Sequence, residues 1–280
     1  MKKKIIFLDV DGTLINYEAK TPESAKTAVE KARKNGHRVY ICTGCSKYEI
    51  MQRDLPGIDG MICGNGAYVE DNGLVIMHHG LTKEEVKKIV DWCNDRKLGF
   101  YLEANSGMFC NQYMLEQGPE TMIRYAFGKG ADSEKAKELS KNFIGSFTLL
   151  DGEDLYREDV NKISFILSSY QDYLDSKSEF PSLIAGTWGG KGEVALFGDL
   201  SPEGITKKQA IDTLLQYRKA DINDTISFGD AKIDLSMFEL CAYNVAMGNG
   251  GDEIKAAADY ITDDVDENGL YNAFEYLELI

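Results

Sequence analysis

KIIFLDVDGT, residues 4–13, is the stretch whose reading decides the fold. Its first half, through Leu8, is an apolar run that opens on two β-branched residues. It reads as a strand buried on both faces, which places it inside a parallel sheet. The strand runs straight into Asp9, Asp11 and Gly12, so two carboxylates and a sharp turn stand at its carboxyl end. Outward from it, Thr21–Pro22 reads as the N-cap and first position of a helix, with Ala25, Val29 and Ala32 at helical spacing and Gly36 placed to end it. RVYIC (38–42) is a second strand, a helix to about 54 follows, and DGMIC (59–63) is a third strand. Strand and helix alternate through short connections, the pattern of a sheet covered on both faces.

The pattern changes after residue 63. YVED and LVIM (68–77) flank Asn72–Gly73 as a hairpin with a two-residue turn. Thr82 with Glu85 is a capping box opening a helix to about 97. Short strands are expected near 99–103, 107–110, 145–150 and 162–167, with helices near 133–142 and 170–178. Alternation resumes with EVALF (193–197), a helix capped by Thr206, and strands at 224–229, 243–247 and 260–262, before a last helix near 269–278. The expected architecture is α/β: a Rossmann-like parallel-sheet core from residues 1–81 and 189–280, with an α+β domain, 82–188, inserted in its middle.

The 280 residues carry 31 Lys and Arg against 46 Asp and Glu, a net charge of −15. That balance argues against nucleic acid or an anionic membrane as partner, since both need a basic face. No apolar run approaches a membrane span. The three lysines before the first strand resemble the start of a signal peptide, but Asp9 and Asp11 interrupt the apolar run and no cleavage site follows. A cytoplasmic location is expected. The six cysteines are too scattered for a disulfide framework, and the Cys42–Cys45 pair has no second pair to complete a zinc site. Free thiols are the expected state.

Open parallel sheets bind ligands beyond the carboxyl ends of their strands. The polar residues expected at those ends are Asp9, Asp11, Thr43, Asn65, Asp230 and Asp234. Four carboxylates gathered on one rim require a cation, and hard oxygen donors select Mg2+. Gly12 lets backbone N–H groups approach a phosphate. Lys207, directly after the Thr206 cap, meets the positive end of its helix dipole, and holding an anion would justify it there. A lone DxD is usually a solvated turn. The four identities of DxDGT are rarer, expected by chance about 0.003 times in a chain this long.

These motifs together resemble the haloacid dehalogenase superfamily, in the Cof-like phosphatase branch that carries a large cap between its second and third motifs. DVDGT matches the first motif through Asp9, Asp11, Gly12 and Thr13, and Thr43–Gly44 the second. Lys207 matches the third, and GDAKID the fourth through Gly229, Asp230 and Asp234. CGNGA with Asn65–Gly66 and AMGN with Met247, Gly248 and Asn249 fit the same branch. The resemblance implies a Mg2+-dependent phosphatase acting on a small phosphorylated metabolite, by default a sugar phosphate. Asp9 is then the nucleophile and Asp11 the acid and base, with Thr43 and Lys207 holding the phosphoryl oxygens. Asp9, the backbone carbonyl of Asp11, and Asp230 hold the metal. Asp234 orients Lys207 or a metal-bound water, and Gly12, Gly44, Asn65 and Asn249 line the phosphate and substrate. The inserted domain closes over the site, with Trp188, Lys191 and Glu193 as substrate contacts and 186–192 as a hinge. A phosphotransferase, a dehalogenase and a non-catalytic binding module are the alternatives, and monomer and homodimer both fit.

Two positions depart from the family pattern. Ile233 replaces an Asn, which removes a hydrogen bond to the metal carboxylates worth about 1–3 kcal/mol if buried. Cys45 replaces an Arg or similar polar residue, which takes a cation from the rim and favours a less charged substrate or a larger role for the cap.

Overall fold

The computed structural model describes residues 2–188 and 194–280. Two compact units divide the chain, Met1–His78 with Ile205–Ile280, and His79–Gly204. In chain order the first unit begins with β1 (Ile5–Leu8), α1 (Glu23–Lys34), β2 (Arg38–Cys42), α2 (Lys47–Met51), β3 (Gly60–Cys63), β4 (Tyr68–Asp71) and β5 (Leu74–His78). The second unit holds α3 (Lys83–Asp95), β6 (Phe100–Ala104), β7 (Met108–Cys110), α4 (Gln112–Gly128), α5 (Ser133–Gly145), β8 (Thr148–Leu149), β9 (Val160–Ile166), α6 (Tyr170–Glu179), β10 (Leu183–Trp188) and β11 (Phe197–Pro202). The chain then returns through α7 (Lys207–Arg218), β12 (Thr225–Gly229), α8 (Leu235–Phe238), β13 (Tyr243–Ala246), α9 (Asp252–Ala257), β14 (Tyr260–Ile261) and α10 (Gly269–Tyr276).

The first unit is an eight-stranded sheet in the order β14-β13-β12-β1-β2-β3-β4-β5. The six strands from β14 to β3 are parallel, and the β4–β5 hairpin adds two antiparallel strands at the edge. Side chains of a strand alternate between faces, and β1 shows it: Ile6 and Leu8 enter one core with α1 and α10, while Ile5 and Phe7 enter another with α7, α8 and α9. Burial on both faces is what the unbroken apolar run required. β1 lies between β12 and β2, the point where the strand order reverses and a crevice opens at the carboxyl ends. The second unit is a six-stranded sheet, β10-β11-β9-β6-β7-β8, with Phe100, Leu102, Ile163, Phe165 and Leu200 in one core with α3. The α/β class with an inserted α+β unit is the expected architecture. The Thr82–Glu85 capping box and the Asn72–Gly73 turn also form as read, with both turn residues at positive φ.

Four features differ from the sequence reading. Thr21 does not cap α1. Pro22 is still extended (ψ 137°), so the helix starts at Glu23, and the Thr21 hydroxyl donates to Asp54 O at 2.7 Å. α2 ends at Met51 and not near 54, and the turn after it carries Arg53. The 17-residue α4 falls in a stretch to which the sequence reading gave no element; Pro119 lies inside the helix, and the Asn111 side chain caps it by accepting from Met114 N–H. EVALF does not begin the return to the core. The strand there is β11, starting at Phe197, which pairs antiparallel with β10 and β9, so the inserted unit runs to Gly204 and not to 188. The β10–β11 register, Leu183 opposite Pro202 through Trp188 opposite Phe197, joins both strands to the inserted sheet. Lys191, Glu193 and most of the expected hinge lie outside the described residues. Trp188 packs its ring 4.5 Å from that of Phe197, within an aromatic cluster that includes Tyr125 and Phe143.

Candidate active site

The turn after β1 is built by a few backbone hydrogen bonds. Asp9 N–H still reaches Phe228 O of β12 at 3.0 Å, so Asp9 extends the strand. The Val10 carbonyl then accepts from the N–H groups of Thr13, Leu14 and Ile15, which curls the chain tightly. Gly12 sits at φ +85°, and a Cβ there would lie 2.3 Å from Asp230 Oδ2. Glycine is required on both counts.

Asp230 follows β12, the strand beside β1. A short turn then brings Asp234 back, and its Oδ2 accepts from the N–H groups of Asp230 (3.2 Å) and Ala231 (3.1 Å). From the other side of the sequence, the Thr206 side chain caps α7 by accepting from Gln209 N–H at 3.1 Å. Lys207 is the first residue of that helix. Its Nζ donates to Asp9 Oδ1 at 2.7 Å and to Asp234 Oδ1 at 2.6 Å, with 1% of its side chain exposed. The anions that justify a lysine at a helix start are thus the protein's own carboxylates. Burial pulls the Lys207 ammonium down, but Asp9 and Asp234 outweigh it and leave its pKa raised. Burial pushes the Asp9 carboxyl up; Lys207 opposes this and Asp234 and Asp230 add to it, for a net rise.

The Asp230 carboxyl is raised as well, first by burial, against the pull of a hydrogen bond from Tyr17. The Tyr17 hydroxyl donates to Asp230 Oδ2 at 2.5 Å, and Thr13 Oγ1 lies 3.5 Å from Oδ1. Loss of water around the phenol, and then Asp230, push Tyr17 up to about 12. Each of Asp9, Asp230 and Asp234 offers an oxygen within 4.8 Å of the others. Three buried carboxylates facing one ammonium leave surplus negative charge, which adds to burial in raising Asp9 and Asp230. This all-oxygen donor set fits a hard divalent cation such as Mg2+. Asp234 has spent both oxygens on Lys207 and on backbone N–H groups, which leaves Asp9 and Asp230 as the carboxylates to hold it.

The other expected residues fall into separate contacts. Thr43 is buried beyond β2, where its Oγ1 accepts from Cys45 N–H at 3.2 Å and its carbonyl from Asn65 N–H at 3.0 Å. Asn65 is left-handed (φ 55°), and its Oδ1 is buried without a partner, 3.0 Å from where a Gly44 Cβ would be. Asn249 donates through Nδ2 to Gly12 O at 2.8 Å and accepts at Oδ1 from Val265 N–H at 2.9 Å. Its amide therefore clamps the turn, and both ends are occupied. Asp11 does not join the Lys207 cluster. Its Oδ1 accepts from Arg53 at 2.6 Å and its Oδ2 faces the Cys45 thiol at 3.6 Å. The cation absent at position 45 is thus present at position 53.

Tyr17 and Arg53 were missed by the sequence reading. Each reaches the site through a long side chain from a loop, and only Arg53's presence in the segment after Thr43–Gly44 could have pointed to it. Ile233 is 52% exposed, so nothing buried is lost there. All six cysteines are free thiols, and five are buried. No helix among the described residues is long and apolar enough to cross a membrane.

Residues 6–274 match the model of the haloacid dehalogenase-like hydrolase family. Phosphatase YwpJ of Bacillus subtilis (strain 168) is 25% identical over 98% of this chain and 99% of its own. The 5-amino-6-(5-phospho-D-ribitylamino)uracil phosphatase YwtE of the same organism is 25% identical over 95% of each chain. The solved structure of a sugar phosphatase of haloacid dehalogenase subclass IIB superposes with a TM-score of 0.72 at 27% identity, over 99% of this chain and 100% of that one. The chain belongs to the haloacid dehalogenase-like hydrolases, in their Cof-like phosphatase branch, and is an enzyme.

Proposed function

We propose that this enzyme is a Mg2+-dependent phosphatase that hydrolyses a small phosphorylated metabolite, a sugar phosphate in class, through an aspartyl-phosphate on Asp9. The observation that carries the reading is the Asp9 carboxylate pinned by buried Lys207 at 2.7 Å at the mouth of the parallel sheet, with Asp230 beside it. One oxygen of Asp9 is fixed by the ammonium, and the other is the nucleophile. It attacks phosphorus, the bond to the leaving oxygen breaks, and Asp11 gives that oxygen its proton. In the second half a water attacks the same phosphorus, Asp11 takes the water's proton, and the bond to Asp9 breaks to release phosphate.

Asp9, Asp230 and the Asp11 carbonyl would hold the Mg2+, which screens the nucleophile from the anionic phosphoryl group and stabilises its oxygens. Gly12 keeps the turn open to the phosphoryl group. Asn65 keeps its expected place lining the substrate, with its amide oxygen buried beside Gly44. The subclass IIB neighbour named a sugar phosphatase, and a relative named for a phosphorylated ribityl compound, favour a phosphorylated polyhydroxy substrate.

The test is phosphate release from a panel of phosphorylated metabolites with Mg2+ and with EDTA. Turnover should require Mg2+ and vanish in Asp9→Asn, while the fold of that variant is retained. Wild-type rates in Asp9→Asn would remove the covalent mechanism, and release that EDTA leaves untouched would remove the metal.

A further inference from the structure

We infer that Arg53 is the guanidinium that binds the substrate's phosphoryl group, and that it rests on Asp11 until the substrate arrives. The inference deepens the phosphatase reading above and rests on it.

Arg53 is held where it can act. The Ser46–Glu49 capping box fixes the start of α2, and Arg53 N–H bonds Ile50 O at 3.1 Å in the turn that ends it. From there the side chain reaches the rim, with NH1 2.6 Å from Asp11 Oδ1 and NH2 3.4 Å from Cys45 Sγ. Cys45 closes the cluster by facing Asp11 Oδ2 at 3.6 Å. A thiol sulfur is a weak acceptor, so one donor of the guanidinium is spent on a poor partner. A phosphoryl group offers anionic oxygens in the geometry the planar fork matches. Exchanging the sulfur for such an oxygen strengthens one hydrogen bond, and the phosphoryl group replaces the Asp11 carboxylate with another anionic acceptor.

Lys207 cannot take this role by itself. It is buried and already shared between Asp9 and Asp234. Arg53 keeps 24% of its side chain exposed and Asp11 51%, so an incoming anion can reach the pair. When Arg53 moves to the phosphoryl oxygens it also releases Asp11 from its ion pair, so that the Asp11 carboxyl can take up the proton it gives to the leaving-group oxygen. The cation that Cys45 does not provide is thereby supplied from eight residues further along the chain.

Steady-state kinetics on p-nitrophenyl phosphate, with inhibition by inorganic phosphate, test this in Arg53→Ala, Arg53→Gln, Arg53→Lys and the double variant Arg53→Ala/Cys45→Arg. Loss of one charged hydrogen-bonding group predicts that KM and the phosphate inhibition constant rise together by roughly ten- to hundredfold in Arg53→Ala. kcat should change much less, Arg53→Lys should lie between, and the double variant should recover most of the loss by returning the cation to position 45. Arg53→Gln carries the same expectation should the alanine variant fail to fold. An active wild type whose Arg53 variants keep both constants overturns this inference alone. So does a fall in kcat with KM unchanged, which would mean that Arg53 serves only to orient Asp11. A wild type that neither releases nor binds phosphate overturns the phosphatase reading and this one with it.

Discussion

The Lys207 ammonium and the Asp234 carboxylate lie 2.6 Å apart, with 1% and 0% of their side chains exposed. Removing one partner of such a pair strands the other in a dry interior, which costs far more than the pair contributes when intact. Lys207→Met keeps the apolar stem and deletes the charge, leaving Asp9 and Asp234 facing each other. It should lower the unfolding free energy by about 3–5 kcal/mol and abolish phosphate release. Urea unfolding monitored by circular dichroism checks the first part. A loss well under 1 kcal/mol would mean the two carboxylates find relief elsewhere.

Asn249 joins two distant segments through one amide, donating to Gly12 O and accepting from Val265 N–H. Asn249→Asp keeps the acceptor and loses the donor, while Asn249→Ala loses both. The aspartate variant should be the less stable, because it sets a carboxylate oxygen against the Gly12 carbonyl; the alanine variant should lose about 1–3 kcal/mol relative to wild type. Both should lower kcat more than they raise KM, because the turn they loosen carries Asp9 and Asp11. Equal kinetics in wild type and both variants would show that the turn holds its shape without the clamp.

What the sequence made legible follows a physical line. Asp9, Asp230 and Lys207 sit where a strand ends or a helix begins, so local periodicity locates them and sheet topology brings them together. The α/β core was readable for the same reason, since β1 and β2 are apolar runs between turn residues. Arg53 and Tyr17 carry no such local mark; their roles depend on how far a flexible side chain reaches across a loop. In the inserted unit, α4 carries Gly118–Pro119 within it, a pair that usually breaks a helix. The end of β10 was read as part of a hinge and β11 as part of the core, because antiparallel pairing joins residues that no short window contains.

A pH-dependent contribution to stability is expected at Asp59, away from the site. Its buried carboxylate accepts from Arg33 Nε at 3.1 Å, Arg38 at 2.8 Å and Val39 N–H at 2.9 Å. Burial pushes its pKa up, but Arg33, the Val39 N–H and Arg38 together hold it below the usual carboxylate value. A carboxylate depressed in the folded state stabilises the protein above its unfolded pKa, about 3.9, and loses that contribution as the pH falls through the lower folded value. Asp59→Asn should therefore be less stable than wild type at pH 7, by about 1–3 kcal/mol, and the gap should close as the pH drops below about 4. Urea midpoints across pH 3–7 measure it, and a gap that stays constant or widens towards acid would contradict the assignment.

Ile233 stands where the family pattern has Asn, which made it the expected weak point of the metal site. The side chain is 52% exposed, whereas the groups that orient the two acidic residues are elsewhere. Asp234 is held by Lys207 and by the N–H groups of Asp230 and Ala231. Asp230 is held at one oxygen by Tyr17 and approached at the other by Thr13. An asparagine restored at 233 would put its amide into water, where it has no buried carboxylate to orient. Ile233→Asn should thus change kcat, KM and the Mg2+ concentration for half-maximal rate by no more than about twofold, the scale of an ordinary surface substitution. Tyr17→Phe removes a hydrogen bond to a carboxylate and should shift the Mg2+ requirement by more than that. Titrating activity against Mg2+ in the two variants separates the possibilities, and a several-fold gain in Ile233→Asn would return the missing hydrogen bond to importance.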